Sequence, residues 1–313
     1  MKLHQLRDFV TVSEMGSVHA AARKLGITQP AVSKSIRQLE AELGMPLFDR
    51  SAKGAVLNAF GRAFLARAQL AVHELQRGKD QLTLMSGQEA TGTVAFSVFG
   101  SPALVLVPGA LAYFRQRFPN AQVRIVEGSG AVARSGLNDG SLDFSLLPLP
   151  FEDPGGDFVV QHLYANHRVV VARKGHPLES ATSLSQLTGA EWVTTGATGT
   201  REAEFELPFE RHGLAVPKAP TRCESLIALL ALLVGSDLIT FLPPQWVEAP
   251  ATRGVLSHIR VRESITGPSL GLVRRKGLPL TTLSEFMGSA IAREVLHYAG
   301  DEARELRAFA PSA

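Results

Sequence analysis

Apolar positions recur at helical spacing in three short blocks at the start of the chain. Leu3, Leu6, Phe9, Val10 and Val12 make one stripe, Val18 to Leu25 with Ala20, Ala21 and Ala22 a second, and Val32, Ile36, Leu39 and Leu43 a third. Gly16-Ser17 separates the first two, and Gly26-Ile27-Thr28 turns into the third. Ser17 and Thr28 are placed to accept from orphan backbone N–H groups as N-caps. Pro30 follows in a first turn, where its missing N–H costs nothing. On another face of the third helix Gln29, Ser33 and Arg37 fall four apart, with Lys34 beside them. An amide, hydroxyls and cations on one exposed face are the groups that read base edges and hold phosphates. A helix, a tight Gly turn and a second helix with such a face is the helix-turn-helix plan. Pro46-Leu47-Phe48 then leads into Asp49-Arg50-Ser51-Ala52-Lys53-Gly54 and Val56-Leu57, which predicts a small hairpin, or wing, with a basic tip.

From Phe60 the period changes. Phe64, Ala68, Ala71, Leu75, Leu82 and Met85 fall at alternating steps of four and three, with Gly78 in the small slot. That spacing predicts one long helix with an a/d seam. A seam of this kind serves either a partner helix or the chain's own head, and the helix's length favours a dimer. Ser86 to Thr93 is polar and contains Gly, so the hinge is expected there. Beyond it, strands and helices alternate. Strands are expected at 94–99, 123–127, 142–147, 169–173, 192–195, 219–224, 238–242 and 269–274. Helices are expected at 103–118, 132–139, 183–187, 200–212, 225–234 and 283–298. The alternation implies parallel sheets with helices on their faces.

Charge sharpens this division. Residues 1–89 hold twelve Lys/Arg and eight Asp/Glu, a net +4, while the remainder holds 20 against 21, a net −1. The basic excess lies with the helix-turn-helix, as a nucleic-acid-binding head requires. Cys223 is the single cysteine, which excludes a disulfide framework and a thiolate metal cluster and fits a reducing cytoplasm. Lys2 leads into an amphipathic pattern, not a signal sequence. The longest apolar run, Leu226 to Val234, is too short to span a bilayer, so no membrane association is expected.

Four predicted strand-to-helix junctions carry small or hydroxyl residues: Gly100-Ser101-Pro102, Gly128-Ser129-Gly130, Thr195-Gly196 through Thr200, and Glu224-Ser225. Ligands of parallel α/β sheets bind beyond such strand ends, where helix N-termini favour anions. Taken singly, each junction is an ordinary cap or turn; their convergence on one cleft would make a site for a small acid. Arg201 and Arg222 could add counter-charge. Gly128-x-Gly130-x-x-Ala133 approximates a dinucleotide fingerprint, but no suitably placed carboxylate ends the next strand. There is no phosphate-binding GxxxxGK[ST] loop, no GxSxG elbow and no HExxH pair, so an enzyme is the minor reading and no cofactor or metal is expected.

The first sixty residues resemble the N-terminal domain of the LysR-type transcriptional regulators. Ala21-Ala22-Arg23-Lys24-Leu25, Thr28-Gln29-Pro30-Ala31-Val32-Ser33, Ile36 through Leu43 and Leu47-Phe48-Asp49-Arg50 carry the likeness, and later segments keep the family's order. The resemblance implies a chain of α+β and α/β parts. These are a winged helix-turn-helix at 1–59, a dimerising linker helix at 60–86, a hinge at 87–93 and an effector domain at 94–313. It implies that the effector domain is type II periplasmic-binding-protein-like, with α/β subdomain I at 94–164 and 268–313 and subdomain II at 165–267. Carried over by position, Gln29, Pro30, Ser33, Lys34, Arg37, Arg50 and Lys53 would contact DNA. Ser101, Ser129, Gly130, Thr195, Gly196, Glu224 and Ser225 would contact effector. Val126-Glu127-Gly128 and Cys223-Glu224-Ser225 resemble family members that respond to aromatic or amido acids, which points to an aromatic carboxylate or sulfonate. The implied partners are double-stranded promoter DNA, the effector, RNA polymerase and further copies of the chain as a dimer of dimers. The rival class is a solute-binding protein without DNA function, against which the head argues.

Overall fold

The computed structural model describes residues 1–51, 54–86, 91–151, 153, 155–195 and 201–298, without the side chains of 50, 51, 201–203, 297 and 298. The N-terminal head packs α1 (Leu3–Met15), α2 (Val18–Leu25) and α3 (Gln29–Leu43) against one another. The wing is β1 (Phe48–Ser51) paired antiparallel with β2 (Gly54–Leu57). Phe9, Val12, Ala21, Val32 and Leu39 close the core with almost no exposure. Ser17 caps α2 by accepting from Ala20 N–H at 3.4 Å. Thr28 is the N-cap residue of α3 but its hydroxyl makes no capping bond, contrary to the sequence expectation. The reason is local: Ala31 and Val32 N–H both donate to the Thr28 carbonyl, and Pro30 has no N–H to offer. The wing is tied to the α1–α2 turn by Ala55 N–H donating to the Gly16 carbonyl at 3.0 Å.

Helix α4 (Ala59–Met85) spans about 40 Å at 1.5 Å per residue. Its expected seam is divided between two jobs. Phe64, Leu65, Ala68, Ala71 and Val72 pack into the chain's own head, with the Phe64 ring 5.5 Å from that of Phe9. Leu75, Leu82 and Met85, at 52%, 67% and 73% exposure, are left outside any core of this chain.

The rest of the chain forms two α/β bodies, each built on one larger sheet. Strands β3 (Thr93–Val98), β4 (Gln122–Glu127), β5 (Phe144–Pro148), β6 (Phe158–Tyr164) and β13 (Leu270–Arg275) make a sheet in the order β4-β3-β5-β13-β6. It is covered by α5 (Pro102–Val105), α6 (Val107–Arg117), α7 (Gly130–Asn138) and α11 (Thr282–Tyr298). A second body is built on β7 (His167–Arg173), flanked by β10 (Thr240–Leu242) and β11 (Leu256–Ile259), with β12 (Ile265–Thr266) pairing its start. It also holds the parallel pair β8 (Val193–Thr195) and β9 (Thr221–Cys223), α8 (Arg201–Arg211), α9 (Leu226–Gly235) and α10 (Gln245–Glu248). The chain crosses between the bodies after β6 and returns before β13. Neither sheet is purely parallel, as the alternation had implied. β13 runs antiparallel to β5 and β6, and β7 antiparallel to β10, β11 and β12, because both crossings return the chain in the opposite sense. Strands β6, β11 and β12 were not foreseen; β6 is a half-exposed edge strand and the other two are short. The single helix expected at 103–118 is broken at Leu106, before Pro108.

One face of α4 is fastened to the first body. The turn between α7 and β5 needs Gly140, whose φ is +74° and where a Cβ would stand 3.0 Å from Leu70. This turn aims its carbonyls at the helix. His73 Nδ1 meets the Asp139 carbonyl at 2.8 Å, and Arg77 Nη2 donates to those of Gly140 and Leu142 at 2.7 and 3.3 Å. Arg77 also pairs with Glu74 and, at 2.8 Å, with Asp143, whose side chain is 4% exposed. Asp143 in turn accepts from Ala95 N–H on β3 at 2.7 Å. One helical turn on, Gln81 exchanges hydrogen bonds with Thr282 at the start of α11. Burial holds the Asp143 carboxyl above its usual range, and Arg77 and the Ala95 N–H pull it back. A carboxylate raised in the folded state adds stability below its unfolded pKa and loses it as pH rises through the folded value. Arg77→Met, which removes the counter-charge, is therefore expected to cost about 3 kcal/mol at neutral pH. The loss should shrink as the medium becomes acid enough to protonate Asp143. Melting curves across pH check this, and a penalty independent of pH would remove Asp143 from the account.

Candidate functional site

Two surfaces carry groups with chemistry to offer. The first is the start of α3. Gln29, Pro30, Lys34 and Arg37 are exposed and Ser33 is half-buried, while Val32, Ile36 and Leu39 on the opposite face fill the head core. The amide of Gln29, the hydroxyl of Ser33 and the cations of Lys34 and Arg37 make no side-chain bond to other described residues. Arg50 lies on β1 opposite Ala55. Lys53 lies outside the described residues. A helix presenting its N-terminal turns beside a basic wing has the dimensions of a major-groove reader.

The second surface is a cleft between the two α/β bodies, with about 570 Å³ of empty space including its open mouth. Of the residues expected to meet a ligand, Ser101, Thr195 and Glu224 line it. Ser129, Gly130 and Ser225 do not. Ser129 precedes α7 at the end of β4, the outermost strand of its sheet, whereas Ser101 follows β3, where the strand order reverses between β4 and β5. Crevices form at such reversals and not at sheet edges. Ser225 is occupied as the cap of α9, accepting from Ala228 N–H at 3.3 Å. Gly196 lies outside the described residues, and nothing is described of the Arg201 side chain.

Ser101 is more enclosed than its place in a loop implied. It is 3% exposed and lies against Tyr164, the last residue of β6. Burial pushes the Tyr164 phenol up to about 12, an effect that the Ser101 hydroxyl partly offsets, so Tyr164 is a neutral group at ordinary pH.

Among the residues lining the cleft, Asn166, Arg168, Trp246 and Ser269 escaped the sequence reading. Arg168 opens β7 where the chain enters the second body, and β12 pairs with it on the way back. Its stem is covered by Gly267, where a Cβ would come within 3.2 Å of Arg168 Cγ. The Gly267 N–H donates to the Asn166 carbonyl at 3.2 Å, so the two crossing segments are tied side by side at the floor of the cleft. Arg168 Nη2 stands 3.7 Å from Glu204 Oε2. No sequence signal separates this arginine from the other basic residues; the crossing alone makes it a cleft residue.

The model of the bacterial regulatory helix-turn-helix protein, lysR family, matches residues 3–62, and that of the LysR substrate binding domain matches 87–293. The chain belongs to the LysR family of transcriptional regulators. This regulator is 27% identical over 308 residues to the HTH-type transcriptional regulator TdcA of Escherichia coli K12, covering 97% of this chain and 96% of the relative. It is 30% identical over 242 residues to GbpR of Rhizobium radiobacter, covering 76% and 80%. The crystal structure of full-length CbnR with its target DNA shares the fold at a TM-score of 0.69 and 21% identity, covering 94% of this chain and 100% of that one. The family and the fold agree with the expectation from the helix-turn-helix motif. The regulator is a DNA-binding protein with an effector-binding domain, not an enzyme. No described helix is long and apolar enough to cross a membrane.

Because Gln29 is exposed and packs against no core, its loss should leave the head folded. Gln29→Ala is expected to leave the melting point unchanged and to cost about 1–3 kcal/mol at one base pair of the operator. Competition binding against operators mutated position by position checks this. An unchanged sequence preference would take Gln29 out of the reading face.

Proposed function

We propose that the regulator reads a dyad-symmetric operator and that a small acidic effector in the cleft switches it. Gln29, Pro30, Ser33 and Lys34 enter the major groove, Arg37 holds phosphate, and Arg50 and Lys53 on the wing reach the backbone or minor groove. The exposed half of the linker, Leu75, Leu82 and Met85, pairs with a second copy, and two such dimers join through the effector domains. RNA polymerase, in the cytoplasm, is the downstream partner. The effector's acid group is held at the cleft floor and its body, an aromatic carboxylate or sulfonate, lies on the apolar wall formed by Phe99, Leu226, Leu242 and Trp246. Ser101, Thr195 and Glu224 surround it. Gly196, next to Thr195, joins them as a contact, whereas Ser129, Gly130 and Ser225, which do not line the cavity, are kept out of the first contact set. The observation that carries this reading is Arg168, a cation seated in a mostly apolar cavity between two bodies that can close on a ligand. A ligand touching both bodies favours one closure angle by its differential affinity for the two states, and by no more than that.

The decisive experiment is a thermal-shift screen of small acids against the full chain, followed by operator mobility shift with and without each hit. A hit that alters operator binding supports the reading; hits with no effect on it leave a solute binder without a switch. Ser101→Ala removes the donor without adding bulk at this buried position, and should cost about 1–3 kcal/mol of effector binding while leaving effector-free operator binding intact. Paired calorimetry and mobility shift check that split. Leu75→Asp places a charge in the linker contact and should lower the sedimentation mass and operator affinity together. If both are retained, the exposed half of α4 is not the dimer seam.

A further inference from the structure

We infer that the effector carries a cationic group as well as an acidic one, and that the cleft is built for a small amino acid with an apolar side chain. This rests on the cleft being the effector site. Two charged side chains stand among the described residues lining the cavity, and they are of opposite sign: Arg168 and Glu224. They come from different places. Arg168 opens β7 beside the crossing segments; Glu224 follows β9, just ahead of α9.

Each charge selects differently. The Arg168 guanidinium is pinned by the Gly267 backbone across its stem and lies 3.7 Å from Glu204. With five N–H donors it can keep its neighbours within the chain and still donate to a carboxylate. Glu224 repels a simple acid entering the same cavity and pairs with an ammonium. An acid alone satisfies Arg168 and faces an uncompensated carboxylate; an amine alone meets the reverse. A molecule carrying both charges satisfies both ends. The rest of the lining is largely apolar, with Leu226, Leu242, Trp246 and Leu270, so it takes a hydrocarbon side chain beside the charged groups. Asn166, Thr195 and Ser269 offer neutral hydrogen bonds around the charged ends. A site built to pair a polar group discriminates strongly against analogues that lack it, whereas an apolar wall discriminates weakly between hydrocarbons. Selectivity should therefore follow charge pattern more than side-chain shape.

The test uses matched triads on the full-length protein, at millimolar concentration, by thermal shift and calorimetry. One triad is phenylalanine, 3-phenylpropionate and phenethylamine; the other is leucine, 4-methylpentanoate and 3-methylbutylamine. The amino acid of at least one triad is expected to bind about tenfold or more tightly than either of its single-charge analogues. Glu224→Gln, at an exposed position that does not threaten the fold, should erase the preference over the acid. Arg168→Gln should weaken both amino acid and acid, with Arg168→Lys restoring part of the loss. Acids that bind as well as amino acids and alter operator binding would overturn the inference and leave the acidic-effector reading standing. A preference unchanged by Glu224→Gln, or a panel in which no amino acid binds, would also overturn it. In the last case, an acid found in the wider screen would still support the cleft as the effector site.

Discussion

The ion pair between Arg77 and Asp143 decides how the two halves of this regulator are joined. Asp143 is buried just ahead of β5, the central strand of its sheet, and would be costly to ionise there alone. Arg77 supplies the counter-charge from the linker helix and, with the same guanidinium, satisfies two carbonyls of the neighbouring turn. A buried pair of this kind adds little net stability over an apolar contact, but breaking it leaves an uncompensated charge. Its effect is therefore on geometry. With His73 on one side and Gln81 on the other, it fixes the linker to the first α/β body along about two helical turns. The polar segment before β3 is thus bypassed by a direct contact, and the hinge expected from its composition is not the only connection between linker and effector domain.

The cleft is organised by a second constraint, the two chain crossings. The segments leaving β6 and entering β13 lie against each other through Asn166 and Gly267, and β12 extends β7 at its start. A pair of short antiparallel segments between two compact sheets bends more readily than either sheet. Arg168 sits at this bend and Ser101 faces it from the first body, packed on Tyr164. A ligand held at this floor that also reaches the walls of both bodies makes contacts that differ with the angle between them. That is where differential affinity between open and closed states is readily built.

The head was legible in the sequence because its structure is local. Each helix is bounded by a Gly in the left-handed region, and its core residues repeat within a few turns. The linker's length was legible, but its allegiance was not. One a/d pattern serves the head at Phe64 and Ala68 and is left exposed at Leu75 and Leu82, since a seam records apolar spacing and not the identity of its partner. In the effector half, the central strands announced themselves by β-branched runs. The edge strand β6 is exposed along its middle and gave no comparable signal. In the first body the site was legible only where strand order and strand ends coincide. Ser101 follows β3 at the order reversal and reaches the cleft, whereas Ser129 follows the edge strand β4 and does not. Arg168 depends on pairing between residues about a hundred positions apart, which local pattern does not record.

Fixing the linker to the first body has a consequence for the switch. If a ligand changes the angle between the two bodies, the first body, the linker and the head move together, and within one chain the head registers no change. Only the second body is displaced relative to that unit. Its surface carries α9, whose Ile227 is 79% exposed and Val234 42%, an apolar face that no other described residue covers. For effector binding to alter how two heads address an operator, the displacement must be passed through contacts between copies. A two-state assembly can do this with modest energies, since a few kcal/mol of differential affinity per site moves a balanced equilibrium almost completely. On the proposed reading, the switch is then a property of the oligomer. Loss of assembly and loss of effector response should go together even in variants whose cleft and DNA-reading face are both intact.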